Sequence, residues 1–325
     1  MRVADSSVVS NALDSLLGAT SSSGDDITIE IKGEKLSGPA DRIRNQLSIV
    51  FYDLLHARPY THTTPVATND KVLPRKPVTR SSTVQNLMEI FHSRQFVVSR
   101  PLVDITETAV LYRQGRILMR APLERVAKIG KSSVDLTLSH YSIGISPGFF
   151  YVYGSSSLGD TDAKAKDTRV YLSIRSPDVA TQVFTRITER LDDDGTDFDM
   201  KILSAPEDYP RSDSIVLYTD RDAADICDSI HHWCAEYRQE FIDGSLLTRH
   251  HHRGISTADE PDIGPGTKTR VLSFGQHRTE MIAYAVVEHA TTGGDLATAL
   301  ERSARRSGID PSDYSRNLRS TDHAL

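Results

Sequence analysis

Three short segments constrain this chain more than any other feature: RVYLSI (169–174), DMKILS (199–204) and SIVLYTD (214–220), each alternating apolar and polar residues. Strand side chains alternate with period two, so Val170, Leu172 and Ile174 share one face while Arg169, Tyr171 and Ser173 share the other. Between the first two segments, Ser176 and Pro177 read as a helix cap and first-turn residue. Val179, Val183, Ile187 and Leu191 then repeat at helical spacing, which predicts a helix laid over the apolar face. The chain turns at DDDG and returns with Lys201 between Met200 and Ile202, which places the lysine on the polar face. Arg211 follows in a YPRSD turn, and after SIVLYTD a helix beginning at Asp220 carries Ala224, Ile226, Ile230 and Trp233. The order strand, helix, strand, strand, helix predicts an α+β fold with a central, mostly antiparallel sheet flanked by helices.

The first hundred residues read differently. Ser6 to Leu17 has the pattern of a short amphipathic helix, Ile27, Ile29 and Ile31 alternate like a half-buried strand, and Ile43, Leu47, Val50 and Leu54 mark a helix over Asp41 to Leu55. Arg58 to Arg80 is rich in Pro, Thr and basic residues without periodicity and reads as a long linker, after which Ser81 caps a helix through Phe91. Strands are predicted over Thr106–Tyr112, Arg116–Met119, Val134–Leu138 and Phe149–Tyr153, with the first two joined at GRI as a hairpin. GSSSLGDTDAKAKD (154–167) reads as a lid-like loop. The expected organisation is a helical N-terminal region, 1–100, followed by an α+β domain, 101–325.

Composition narrows the function. A formal charge of −6 argues against general nucleic-acid binding. No apolar run approaches the ~20 residues needed to span a bilayer, and the N-terminus lacks a secretory apolar core. The two cysteines, Cys227 and Cys234, lie seven apart in an expected helix without partners at zinc spacing, which fits a reducing cytoplasm. RHHHR (249–253) reads as a mobile cationic rim, since adjacent histidines in a flexible segment do not converge on a metal. SGPAD and GPG are turns without the Lys-Ser/Thr of a nucleotide loop, and the kinase signatures are missing. The remaining signal is cationic. An isolated strand Lys or Arg is usually a solvated charge, but Arg169 and Lys201 recur on the same polar side of successive strands, with Arg211 following, and Lys268 and Arg270 approach along the strand that precedes SFGQHR. His277 and Arg278 lie in SFGQHR at the start of a helix that continues TEMIAYAVVEH, where unpaired backbone donors favour anions.

The run RVYLSI, helix, DMK, Arg, VLYT resembles the effector phosphothreonine lyases, in which Lys-x-His on a strand precedes a second catalytic Lys after one helix. DMK, the R-x-D opening of a strand, STADEP and SFGQHR more closely resemble the Hop-A-like effector family and its relatives in class V lanthipeptide and thioamitide biosynthesis. The resemblance covers roughly Gly115 to Val287. It implies a cofactor-free, metal-free carbon–oxygen lyase that converts phosphoserine or phosphothreonine in a precursor peptide to dehydroalanine or dehydrobutyrine. Residue by residue, it implies Lys201 as the base, Arg169 in the place of the first strand lysine, Arg211 as a phosphate-binding arginine, and Tyr171 where the effector lyases keep their histidine acid.

The chemistry sets its own requirements. Eliminating phosphate needs a base for the weakly acidic Cα hydrogen, cations for the phosphate, and a proton for the leaving oxygen. A lysine, with an ordinary pKa of about 10.4, serves as base only where burial or neighbouring cations disfavour its charge. Arg169, Arg211, Arg270 and Arg278 are the phosphate-binding candidates, and Tyr171 or His277 the acid. Because kinase motifs are lacking, a separate Ser/Thr kinase has to act in trans, with residues 1–100 as its docking region or that of a leader peptide. The alternative reading is a non-catalytic module whose cationic face binds a phosphorylated or acidic segment.

Overall fold

The structure, a computed structural model, describes residues 6–58, 81–92, 95–114, 117–143, 146–154, 166–261 and 272–318. The Arg58–Arg80 linker and the 154–167 loop fall almost wholly outside these residues, as do Lys268 and Arg270. Helix α1 (Ser6–Leu16) leads into a three-stranded antiparallel meander, β1 (Leu17–Ser23), β2 (Asp26–Ile31) and β3 (Glu34–Pro39). Helix α2 (Ala40–Phe51) runs directly into a π-helical turn, Tyr52–Ala57, in place of the unbroken helix that the spacing of Leu47, Val50 and Leu54 predicts. Helix α3 (Ser82–His92) begins at Ser81, whose Oγ accepts from the Val84 amide at 3.2 Å.

Next come β4 (Gln95–Ile105), β5 (Ala109–Gln114), β6 (Ile117–Pro122), β7 (Val126–Ile129) and β8 (Ser133–Ser139). They form a five-stranded antiparallel sheet, ordered β6-β5-β4-β8-β7, around its own small core of Val98, Val110, Tyr112, Ala121, Val134 and Leu136. Residue 100, the seam expected from sequence, lies inside β4.

The remaining elements are β9 (Tyr141–Ser142), β10 (Phe149–Tyr153), β11 (Thr168–Ile174), α4 (Pro177–Asp193), β12 (Phe198–Leu203), β13 (Arg211–Thr219), α5 (Ala223–Trp233), β14 (Arg249–His252), β15 (Ile255–Asp259), α6 (Phe274–Thr292) and α7 (Leu296–Arg306). Seven of these strands form the central antiparallel sheet, ordered β14-β15-β11-β13-β12-β10-β9. Its apolar face carries Val170, Leu172, Ile174, Met200, Ile202, Ile215 and Leu217 and packs on the stripe of α4 and on Ile226, Cys227 and Ile230 of α5.

The opposite face is not simply polar. Tyr171, Val216 and Ala258 on that face join one buried cluster with Leu13, Ile29, Leu47, Phe51, Phe274, Met281, Ile282 and Leu300, so the N-terminal elements, α6 and α7 roof the middle of the sheet. The seam is hydrogen-bonded as well as packed. The Leu246 amide donates to the Leu55 carbonyl at 2.9 Å, and His56 Nδ1 lies 3.0 Å from Ser245 Oγ. Gly275 marks the closest approach: a Cβ there would lie 2.7 Å from His56 Nε2 and 2.7 Å from Tyr52 Cε2. Gly275→Ala is therefore expected to lower stability by about 1–3 kcal/mol, read as a drop in the urea unfolding midpoint without loss of secondary structure in the native baseline.

The RHHHR segment is not a mobile rim. Residues 249–252 form strand β14, and the three histidines have separate partners: His250 Nε2 meets the Ser245 carbonyl at 2.8 Å, His251 Nε2 meets Thr257 Oγ1 at 2.9 Å, and His252 Nε2 meets Asp228 Oδ1 at 2.7 Å. Pairing with β15 turns alternate side chains apart, which a reading of adjacent histidines as free coil misses.

Candidate active site

Strand register assembles the site. Tyr151, Lys201, Val216, Tyr171 and Ser256 lie directly opposite one another across β10, β12, β13, β11 and β15, and the adjacent row on the same face reads Tyr153, Asp199, Tyr218, Arg169 and Ala258. Arg169 and Lys201 do share a face, as the alternation predicts. They are two strands apart, with Tyr218 on β13 between them.

Tyr218 joins the two cations. The Arg169 guanidinium carbon lies 5.1 Å from its ring centroid and Lys201 Nζ lies 5.5 Å from it, while Phe149 closes the other side of Lys201 at 4.6 Å. Tyr151 stacks 6.4 Å from Tyr218, and Tyr153 packs 5.1 Å from Tyr151. Lys201 is half-buried in this aromatic niche, and among the described residues its ammonium has no carboxylate or hydrogen-bonding partner.

The surrounding charges are engaged. Arg169 is buried and bidentate to Glu260 at the end of β15. Burial opposes its charge, but Tyr171, Tyr218 and Glu260 outweigh that effect and raise its pKa. Lys166 bridges Asp197 at 3.1 Å and Asp199 at 2.8 Å. Asp199, mainly through burial, titrates above the usual carboxylate range. Burial, with Asp199 adding to it, pushes Tyr151 up strongly and Tyr153 up to about 12.

The other sequence candidates lie elsewhere. Tyr171 is 2% exposed, wedged at ring distances of 5.4 Å from His56 and 5.9 Å from Phe274, and burial raises its pKa. A substrate reaches its hydroxyl only by parting α6 from the sheet, because the roof that sequence alternation cannot show covers this position. Arg211 opens β13 as a strand residue, not a turn residue, and is bidentate to Asp213 at 2.7 and 2.8 Å. It stands five residues along β13 from Val216, the partner of Lys201, or about 16 Å at 3.3 Å per residue. Arg278 is fully buried: Nε donates to the Tyr314 carbonyl at 2.8 Å, Nη2 to Asn317 Oδ1 at 2.9 Å, and the guanidinium lies over Phe274 at 4.8 Å. A phosphate could contact it only by displacing the 309–318 segment. Burial lowers its pKa to about 10.

His277 lies in the first turn of α6, near the helix start as predicted, with Ser273 and Gln276 forming a capping box. It lines a separate cleft of about 570 Å³ with Arg44 and Arg306 and does not face Lys201. Burial and Arg278, whose Nη1 lies 2.5 Å from His277 Nδ1, push it down to about 4. The folded protein thus binds this proton less readily than the unfolded chain, whose histidine titrates near 6.5. Stability present above pH 6.5 is lost as pH falls toward 4, by on the order of 2–3 kcal/mol. His277→Gln is expected to flatten that part of a urea-unfolding pH series.

Sequence reasoning missed Tyr218, Glu260, Lys166, Asp199 and the tyrosines of β10. The alternation in FFYVY and VLYT carried a signal for the tyrosines, whereas Glu260 lies 91 residues from Arg169 and no local pattern links them. Among the described residues no group of three or more His, Cys, Asp or Glu is disposed to hold a metal ion, and no helix is long and apolar enough to cross a membrane.

The model of the HopA1 effector protein family matches residues 142–316, more than half of the chain, and the chain belongs to that family. Its structure is similar to that of an effector protein from Pseudomonas syringae pv. tomato strain DC3000, at 19% identity over 53% of this chain and 63% of that one, with a TM-score of 0.40. A second similar structure, an effector protein from Pseudomonas syringae pv. syringae strain 61, is matched at 12% identity over 86% of this chain and 93% of that one, with a TM-score of 0.49. No curated protein matches.

Proposed function

We propose that this protein is a carbon–oxygen lyase that removes phosphate from phosphoserine or phosphothreonine in a precursor peptide and leaves dehydroalanine or dehydrobutyrine. This is the chemistry that the resemblance to lanthipeptide and thioamitide enzymes implies. The observation that carries the reading is Lys201: an amine on an aromatic-walled strand face, without a carboxylate partner among the described residues, and sharing Tyr218 with Arg169. In this reading Lys201 takes the Cα proton, while Arg169 supplies fixed positive charge where the phosphate departs. Phosphate binding at Arg169 competes with Glu260, and Lys268 and Arg270 join the proposed set from outside the described residues.

The substrate arrives phosphorylated by a separate Ser/Thr kinase. The apolar faces of α1 and α2 are committed to the core, so docking of that kinase or of a leader peptide on residues 1–100 falls to their outer, polar faces. Intact-mass measurement on a synthetic phosphopeptide tests the whole reading. A lyase yields a product lighter by phosphoric acid, a phosphatase yields the free alcohol, and a binding module leaves the mass unchanged. Unphosphorylated peptide should turn over only when a Ser/Thr kinase and ATP are added.

A further inference from the structure

We infer that Tyr218 is the proton donor to the departing phosphate, a role that rests on the lyase reading. Four tyrosines share this sheet face, and their surroundings separate them. Tyr171 is sealed under α6, with its hydroxyl committed to Arg169. Tyr151 is hydrogen-bonded to Asp199, and Tyr153, on β10, stands three strands across the sheet from Arg169. Tyr218 is half-exposed, its hydroxyl has no hydrogen-bonding partner among the described residues, and its ring touches both cations at 5.1 and 5.5 Å. It stands on the strand between the residue that takes the Cα proton and the residue that neutralises the phosphate.

The step balances without a co-reactant. Neutral Lys201 Nζ takes the Cα proton, and the C–H electron pair becomes the Cα–Cβ double bond. The Cβ–O bond breaks with its pair on oxygen, and the Tyr218 proton goes to that oxygen, giving hydrogen phosphate. The site is left with a Lys201 ammonium and a Tyr218 phenolate, the latter also facing Arg169. Transfer of one proton from the ammonium to the phenolate restores both groups.

Tyr218→Phe keeps the ring and its cation contacts and removes only the hydroxyl. On a synthetic phosphoserine peptide it is expected to lower kcat by about 10²–10³-fold with KM within about threefold, and to abolish the fall in kcat/KM at alkaline pH. Replacing Tyr218 with 3-fluorotyrosine, which acidifies the phenol without changing the packing, is expected to move the alkaline limb to lower pH. That second substitution decides the matter even if the phenylalanine variant folds poorly. An unmoved limb, a Tyr218→Phe kcat within threefold of wild type, or a change confined to KM overturns the assignment while Lys201-dependent elimination stands. Wild-type protein that releases no phosphoric acid overturns the lyase reading itself.

Discussion

Lys201→Ala leaves a phosphopeptide at its starting mass, with elimination reduced by about 10²–10⁴-fold, while the protein unfolds at the same denaturant concentration as the wild type. The magnitude follows from removing the base, a loss that general acid–base catalysis puts at about 10²–10⁴-fold. Stability is spared because Lys201 is half-buried and, among the described residues, is held by its ring contacts with Phe149 and Tyr218. Lys201→Arg gives the sharper comparison. A guanidinium preserves charge and can hold phosphate, yet it does not deprotonate near neutrality, so peptide binding persists and mass loss does not. Elimination by either variant at a rate near wild type would remove Lys201 from the chemistry. Binding that disappears in both, with no wild-type turnover, would favour the anion-binding module.

The largest stability effect belongs to Arg278. Arg278→Ala is expected to cost about 3–5 kcal/mol, measured by urea or thermal unfolding. It empties the space over Phe274 and strands the Tyr314 carbonyl and Asn317 Oδ1 without their donor. The effect reaches the candidate site through the 309–318 segment, because Asn317 Nδ2 donates to the Glu260 carbonyl at 2.6 Å and its amide donates to Asp259 at 2.9 Å. Glu260 is the partner of Arg169, so the variant is expected to weaken phosphopeptide turnover as well. Arg278→Lys, reaching one acceptor at most, should fall between alanine and wild type. A loss below about 1 kcal/mol for the alanine variant would show that the segment is held by other contacts.

The central sheet was legible because its strands obey a period-two pattern that local sequence states outright. Val170, Leu172 and Ile174 against Arg169, Tyr171 and Ser173 defined two faces, and Met200 and Ile202 fixed the side on which Lys201 emerges. What covers each face was half legible. The stripe of α4 announced its own packing, but the roof over Tyr171 is built from residues such as Leu47 and Phe51, more than a hundred positions upstream, and Phe274, more than a hundred downstream. Arg278 and Arg211 read as available cations for the same reason: a charge beside a helix start or a turn looks exposed until its distant or bulge-adjacent acceptor is placed. The β14 histidines erred in the other direction, since a polar run without alternation conceals a strand whose pairing partner is the next hairpin arm.

The shared core beneath that roof also bears on how the chain is made. Leu13, Leu47 and Phe51 complete their packing against Phe274, Met281 and Leu300, so these elements leave the ribosome well before the ones that cover them. From Ala57 to Phe274 there are 217 residues, roughly 10–40 s of synthesis at common elongation rates. During that interval the apolar sides of α1, α2 and the first meander have no permanent cover. Expression yield should therefore depend on translation speed and on chaperone capacity.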